Sequence, residues 1–253
     1  MSEGLSRRKI IATGLAAAGG VAGLAAAAKI AAHYGLIPPD SGGIYGVGET
    51  LTYATQKILT SGHSMAREFN RSEVSKVIPV SGEPPETEEY HRLLSGGFAD
   101  WRLKVDGMVA RPASFSLAEL KRMPVSTQIT HQACEEGWSF IAEWNGVKLS
   151  DVLNLVGVQP GVKYIAFFPY DESWDSLDMA DAYHPQTFLV YGLNGEDLPT
   201  RHGAPVRVRV ARQLGYKSVK YLSRISATNT LKNIGKGLGS AAPEGGYSWY
   251  AGI

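Results

Sequence analysis

Apolar and polar positions alternate along several stretches of this chain and fall at helical spacing in others. Val206, Val208 and Val210 occupy one face of a period-two run, which puts Arg207 and Arg209 together on the other face. Trp101-Arg-Leu-Lys-Val-Asp106 alternates in the same way, and Gly107 and Pro112 punctuate its end. Thr127 to His131, Tyr164 to Phe168, Phe188 to Leu193 and Ser223 to Thr228 read as further strands. Leu51, Ala54, Ile58 and Leu59 share a helical face over Glu49 to Leu59. Ser116 and Glu119 have capping-box spacing and predict a short helix stopping before Pro124. Ser150 to Val156 predicts another, with an N-cap at Ser150 and Gly157 at its C-terminal end. Residues 70–89 carry Pro79, Gly82, Pro84 and Pro85 among acids and read as an extended surface connector. Short helices among strands, without regular βαβ alternation or internal repeat, predict an α+β fold.

The first residues change the picture. Ser6-Arg7-Arg8-Lys9 precedes an Ala/Gly-rich run to Ala28, the pattern of a twin-arginine signal that exports a protein already folded. Gly14, Gly19, Gly20 and Gly23 make a stable membrane span the poorer reading, and an anchoring segment is the bland alternative. The expected organisation is a signal over 1–32, a helical and extended lead-in over 33–100, and an oxidoreductase domain over 101–253 with 50–100 packed on it. The expected location is the periplasm, with removal or retention of the signal left open. Net charge is +1 over 253 residues, so nucleic acid is not implied. Cys134 is the single cysteine, which excludes an intrachain disulfide, an attached c-type haem and an iron-sulfur cluster. After export its thiol must be inert and buried, reactive, or held by a metal.

Its neighbours favour a metal. A strand leads through His131-Gln132-Ala133 to Cys134, and Glu135-Glu136-Gly137-Trp138-Ser139 follows, the grammar of a strand ending in a site-building loop. With Trp144-Asn145-Gly146-Val147 shortly after, this segment resembles the molybdenum-ligand segment of the sulfite oxidase superfamily, on the branch of the bacterial periplasmic methionine sulfoxide reductases. The resemblance implies a mixed-sheet molybdopterin-binding fold in which the Cys134 sulfur ligates molybdenum carried by one pyranopterin. A soft thiolate suits such a metal.

The second constellation is Arg201-His202-Gly203-Ala204-Pro205-Val206-Arg207, continuing to Gly215-Tyr216-Lys217-Ser218-Val219-Lys220. Arginine forks beside a glycine-containing turn with lysines suit a phosphate, such as the one that ends a pterin cofactor. The plain alternative is a half-exposed strand with a solvated basic face. This segment is similar to the superfamily's cofactor-binding segment, which implies contacts from His202, Arg207, Ser218, Val219 and Lys220. Upstream, Arg67-Glu68-Phe69 resembles a Tyr-Glu-Phe cofactor segment, with Ser64 where an asparagine is expected. Pro169 stands where the reductase branch has threonine.

What the resemblance implies for function is two-electron or oxygen-atom transfer at the metal, with a membrane b-type cytochrome as electron partner. The chain's stop at Ile253 matches the one-domain form, and a monomer is expected. Glu135 and Glu136 disfavour a dianion such as sulfite and lean toward a neutral oxide such as a sulfoxide. Rival readings are sulfite-type oxidation, a non-catalytic cofactor-binding subunit, a Cys134 nucleophile served by His131, His184 or His202, and a zinc site using His131. Tyr170, Trp174, Tyr183 and the aromatics of Gly246 to Tyr250 read as core packing, with a substrate wall as the alternative.

Overall fold

A computed structural model describes residues 28–59, 64–171 and 173–253. The arginine pair at 7 and 8, and the apolar run as far as residue 27, lie outside the described residues. The chain divides into two compact units, residues 1–61 and 62–253. In the first, a 3-10 turn at Pro39–Gly42 precedes helix α1 (Gly46–Leu59), with Glu49 in its first turn and Lys57 in its last, each suited to the helix dipole there. No helix among the described residues is long and apolar enough to cross a membrane.

The second unit opens with helix α2 (Glu88–Ser95), then strands β1 (Arg102–Gly107) and β2 (Ala113–Ser116) and helix α3 (Leu117–Arg122). Strands β3 (Ser126–Ala133) and β4 (Ser139–Lys148) lead to helix α4 (Leu149–Val156), followed by β5 (Tyr164–Pro169), β6 (Asp175–Asp178) and helix α5 (Met179–Ala182). Strands β7 (Thr187–Leu193), β8 (Glu196–Asp197), β9 (Arg207–Val210) and β10 (Leu222–Thr228) complete it. One five-stranded sheet runs β2-β1-β10-β5-β6, and its single parallel pair is β1 with β10. The other sheet runs β3-β4-β7-β8, with β9 also paired to β7. Helices and mixed sheets together make the fold α+β.

Local signals account for several elements. Ser116 and Glu119 form the expected capping box on α3. Leu149, Val152, Leu153 and Val156 line the buried face of α4, and Gly157 closes it in the left-handed region at φ +68°. Burying each of these apolar side chains contributes about 1.5–3 kcal/mol. The expected N-cap at Ser150 is not used. β4 runs straight into the helix, so Lys148 sits at the cap position with no side-chain bond.

Another expectation shifts as well. The connector over 70–89 contains a 3-10 turn at Arg71–Glu73 and the start of α2, whose cap is the Thr87 hydroxyl. β4 does not alternate, because most of its positions on both faces are buried. Period two was therefore no guide to it. Gly146 sits at a register shift in β4, where a Cβ would lie 2.1 Å from the Leu189 carbonyl oxygen, so only glycine fits there. The core joins the inward faces of both sheets to α4, and Trp101, fully buried, donates from Nε1 to the Leu222 carbonyl at 2.9 Å.

Candidate functional site

β3 delivers the thiol. Gln128, Thr130 and Gln132 form its buried face at period two, and Cys134 continues that face just past the strand end. A tight loop follows in which the Cys134 N–H donates to the Trp138 carbonyl at 2.9 Å and Gly137 turns the chain at φ +91°. Cys134 is 7% exposed, and its thiol donates to Glu135 Oε2 at 3.3 Å. Burial and the adjacent carboxylates push the thiol up to about 11. Glu136 turns aside to accept from Trp138 Nε1 at 2.7 Å.

β9 delivers the cations. Arg207 and Arg209 are 3% and 0% exposed, so the solvated basic face does not exist. They lie 5.5 and 5.2 Å from the Trp144 ring centroid, cation–π distances that partly offset burial. Arg207 donates to the carbonyls of His202 at 2.9 Å, Ser218 at 2.8 Å and Val208 at 3.5 Å, and pairs with no carboxylate among the described residues. Arg209 donates to the His131 carbonyl at 2.7 Å and to Thr130 Oγ1 at 3.2 Å, which ties the cationic strand to the strand bearing the thiol. Burial pulls Arg207 down to about 10 and, with Arg207 beside it, Arg209 to about 9.

Gly203 brings the turn after β9 close to the chain before it. At φ +110° its missing Cβ would stand 2.8 Å from the Lys220 Cβ. Lys220 donates to the Ser81 carbonyl at 2.7 Å, and burial together with Arg207 pulls its ammonium down to about 8. Burial and the same cations pull His202 to about 4, so its ring is neutral at neutral pH. Lys217 does not join this donor set. It is 1% exposed and forms an ion pair with buried Asp175, because the 3-10 turn at Gly215–Lys217 points it inward.

Thiol and cations meet in one cavity of ≈ 490 Å³, lined among others by Cys134, Glu135, His202, Arg207, Ser218, Val219 and Lys220. Ser64, Arg67 and Glu68 are not part of the lining. Their segment runs antiparallel beside β3 through a bridge between Glu68 and Thr130, where Ser64's carbonyl faces His184 Nε2 at 3.2 Å and Glu68 accepts from Gln186 at 3.1 Å. Arg67 is exposed and stacks on Phe69 at 4.6 Å. Pro169 also lies off the lining, its carbonyl 3.3 Å from the Ser223 hydroxyl. Trp174 lines the cavity, whereas Tyr170 packs on the core and Tyr183 belongs to neither the lining nor the main cluster.

Sequence reasoning missed three contributors. The segment Pro79 to Glu83, read as surface connector, lines the cavity, and its Pro and Gly punctuation was the signal available. Gln132 lines it beside Cys134, with a buried Oε1 that has no hydrogen-bond donor among the described residues. Ala241, Ala242, Gly245 and Tyr247 supply another wall. Among the described residues no histidine hydrogen-bonds Cys134, and no group of three or more His, Cys, Asp or Glu could hold a metal ion.

The sequence profile of the oxidoreductase molybdopterin binding domain matches residues 93–233. The chain belongs to that family. The matched stretch carries Cys134, Arg207, Lys220 and the neutral imidazole of His202, all of them lining the cavity. A relative from Azospira oryzae, named provisionally as the protein-methionine-sulfoxide reductase subunit YedZ1, is 38% identical over 61% of this chain and 56% of its own length. The protein-methionine-sulfoxide reductase catalytic subunit MsrP of Ralstonia nicotianae is 35% identical over 49% of this chain and 43% of its own. The chain thus matches about half the length of these relatives. Among solved structures, the sulfane dehydrogenase SoxCD from Paracoccus pantotrophus is similar at a TM-score of 0.50 and 27% identity, over 52% of this chain and 39% of that one.

The residues of this family member fit an anionic pterin. Among the described residues Arg207 is a buried cation whose hydrogen bonds go to carbonyls, Gln132 Oε1 is a buried acceptor without a donor, and Gly203 lets the Lys220 side chain pack close against the chain before β9.

Proposed function

We propose that this chain is an exported oxidoreductase that reduces a neutral, sulfoxide-like oxide at a molybdenum bound to one pyranopterin and to the Cys134 sulfur. One observation carries the reading: a buried Arg207, which faces no carboxylate among the described residues, and the single cysteine line the same cavity. A buried cation without a counter-charge is costly, and an anionic cofactor phosphate offsets that cost. Arg207 and Lys220 would hold the phosphate, with the Ser218 and Val219 turn beside it, and neutral His202 and Gln132 would hydrogen-bond the ring system. When bound, such a cofactor supplies two-electron oxygen-atom chemistry that side chains cannot.

The chain's own residues do the rest. Cys134 would ligate as the thiolate, giving up a proton that burial otherwise holds on the sulfur. Glu135, bonded to that thiol, puts a carboxylate in the cavity that repels dianions and favours uncharged substrates. The relatives named as subunits of methionine sulfoxide reductases support both the oxide and a separate electron partner, here a membrane b-type cytochrome. Export through Arg7-Arg8, after cofactor loading, completes the proposal, with residues 1–32 as signal and 101–253 as the catalytic domain.

Elemental analysis and pterin fluorescence on protein made in its own host test this reading. Molybdenum and pterin in wild type, with metal lost in a folded Cys134→Ser variant, are the expected results. Wild-type protein free of molybdenum, or a Cys134→Ser variant that keeps metal and activity, would overturn it.

A further inference from the structure

Residues 239–253 lie beyond the stretch matched by the family profile, yet they build one wall of the cavity. Two sets of bonds hold the segment. At its start the Gly239 carbonyl accepts from the Ser176 hydroxyl at 2.5 Å, and the Ala241 N–H donates to the Trp174 carbonyl at 3.0 Å. At its end Trp249, 2% exposed, donates to that same Ser176 hydroxyl at 2.9 Å, while Leu214 N–H reaches the Ala251 carbonyl at 2.8 Å and Ile253 N–H the Arg212 carbonyl at 3.0 Å. The Tyr216 hydroxyl adds a bond to the Ser248 carbonyl at 2.5 Å.

Between these anchors the chain arches over the cavity. A 3-10 turn at Ala242–Gly245 is followed by Gly246 at φ +89°, which turns the chain back toward Tyr247. Trp249 and Tyr250 are buried packing, as the sequence suggested, but Tyr247 is 49% exposed while lining the cavity, so it stands at the rim. Its ring lies 5.6 Å from that of Tyr216, also a lining residue. The cavity has a volume of ≈ 490 Å³, and its rim limits the width of what can enter. Aromatic faces at the rim suit the sulfur and apolar carbons of a thioether oxide.

We propose that Tyr247 is a specificity-determining residue: with the 241–247 arch it forms the rim that admits slender thioether oxides to Cys134 and turns back bulky ones. The substrate class rests on the proposed oxide-reducing reading; the size limit rests on the arch alone. With holoenzyme and a reduced dye as electron donor, kcat/KM is measured for dimethyl sulfoxide and for diphenyl sulfoxide. Tyr247→Ala raises the ratio of bulky to slender by about tenfold, mainly through KM, and Tyr247→Phe keeps the wild-type ratio. An unchanged ratio in Tyr247→Ala overturns the proposal. A second measurement needs no cofactor: alkylation of Cys134 in the cofactor-free full chain by iodoacetamide and by a bulky dye-linked maleimide. Tyr247→Ala speeds the bulky reagent relative to the small one; equal effects on both overturn the rim. If wild-type holoenzyme reduces neither sulfoxide, the oxide-reducing reading fails, and the two thiol reagents still decide the size limit.

Discussion

The Arg207 guanidinium donates to the Ser218 carbonyl at 2.8 Å, tying the cationic strand to the turn that follows it. A second donation, to His202 at 2.9 Å, makes the fork a clamp on both sides of the cavity wall. Lysine keeps the charge but has no planar fork. Arg207→Lys therefore lowers pterin content severalfold, with a stability loss of about 1–3 kcal/mol from the carbonyl left without a donor. Pterin fluorescence and denaturant titration measure the two effects separately.

His202 gives a pH signature. Its folded value of about 4 lies below the unfolded 6.5, so below pH 6.5 the unfolded chain takes a proton that the folded chain refuses. Stability from this group is intact above pH 6.5 and is lost as pH falls toward 4, by roughly 2 kcal/mol at pH 5. Cofactor-free wild type should lose more stability between pH 7 and pH 5 than His202→Asn. Parallel losses in the two proteins contradict the assignment.

Lys220 titrates in the opposite sense for anion binding. Its ammonium is charged below about 8 and neutral above, so an anion held there is released as pH rises through that value. Sulfate keeps its charge over this range and serves as the probe. Its stabilisation of the cofactor-free chain, read as a shift in Tm, is expected at pH 7 and strongly reduced at pH 9. Lys220→Gln should show a small shift at both.

Gly203→Ala tests the close approach between Gly203 and Lys220. The new methyl would meet the Lys220 side chain at 2.8 Å on a backbone at φ +110°. We expect about 1–3 kcal/mol of destabilisation and a loss of the sulfate effect, because Lys220 must move. A variant as stable as wild type would mean the turn relaxes freely.

Export is tested directly. Replacing Arg7 and Arg8 by Lys should empty the periplasmic fraction while the cytoplasm accumulates folded, pterin-loaded chain. A full periplasmic fraction argues for another route.

What the sequence determined by itself was what short-range chemistry controls. The capping box of Ser116 and Glu119, the left-handed stop at Gly157, the alternation of Leu103 and Val105, and the segments around Cys134 and Arg207 each depend on neighbours a few residues apart. Tertiary structure decided burial and direction. Arg207 and Arg209 became core cations, Lys217 turned onto Asp175, 42 residues away, and residues 79–83 and 241–247 became walls of the cavity. The segment that reads as a cofactor contact, Ser64 to Glu68, lies along β3 with His184 and Gln186. Such outcomes depend on which distant chain segments pack together, and a side chain carries no record of that in its own local pattern.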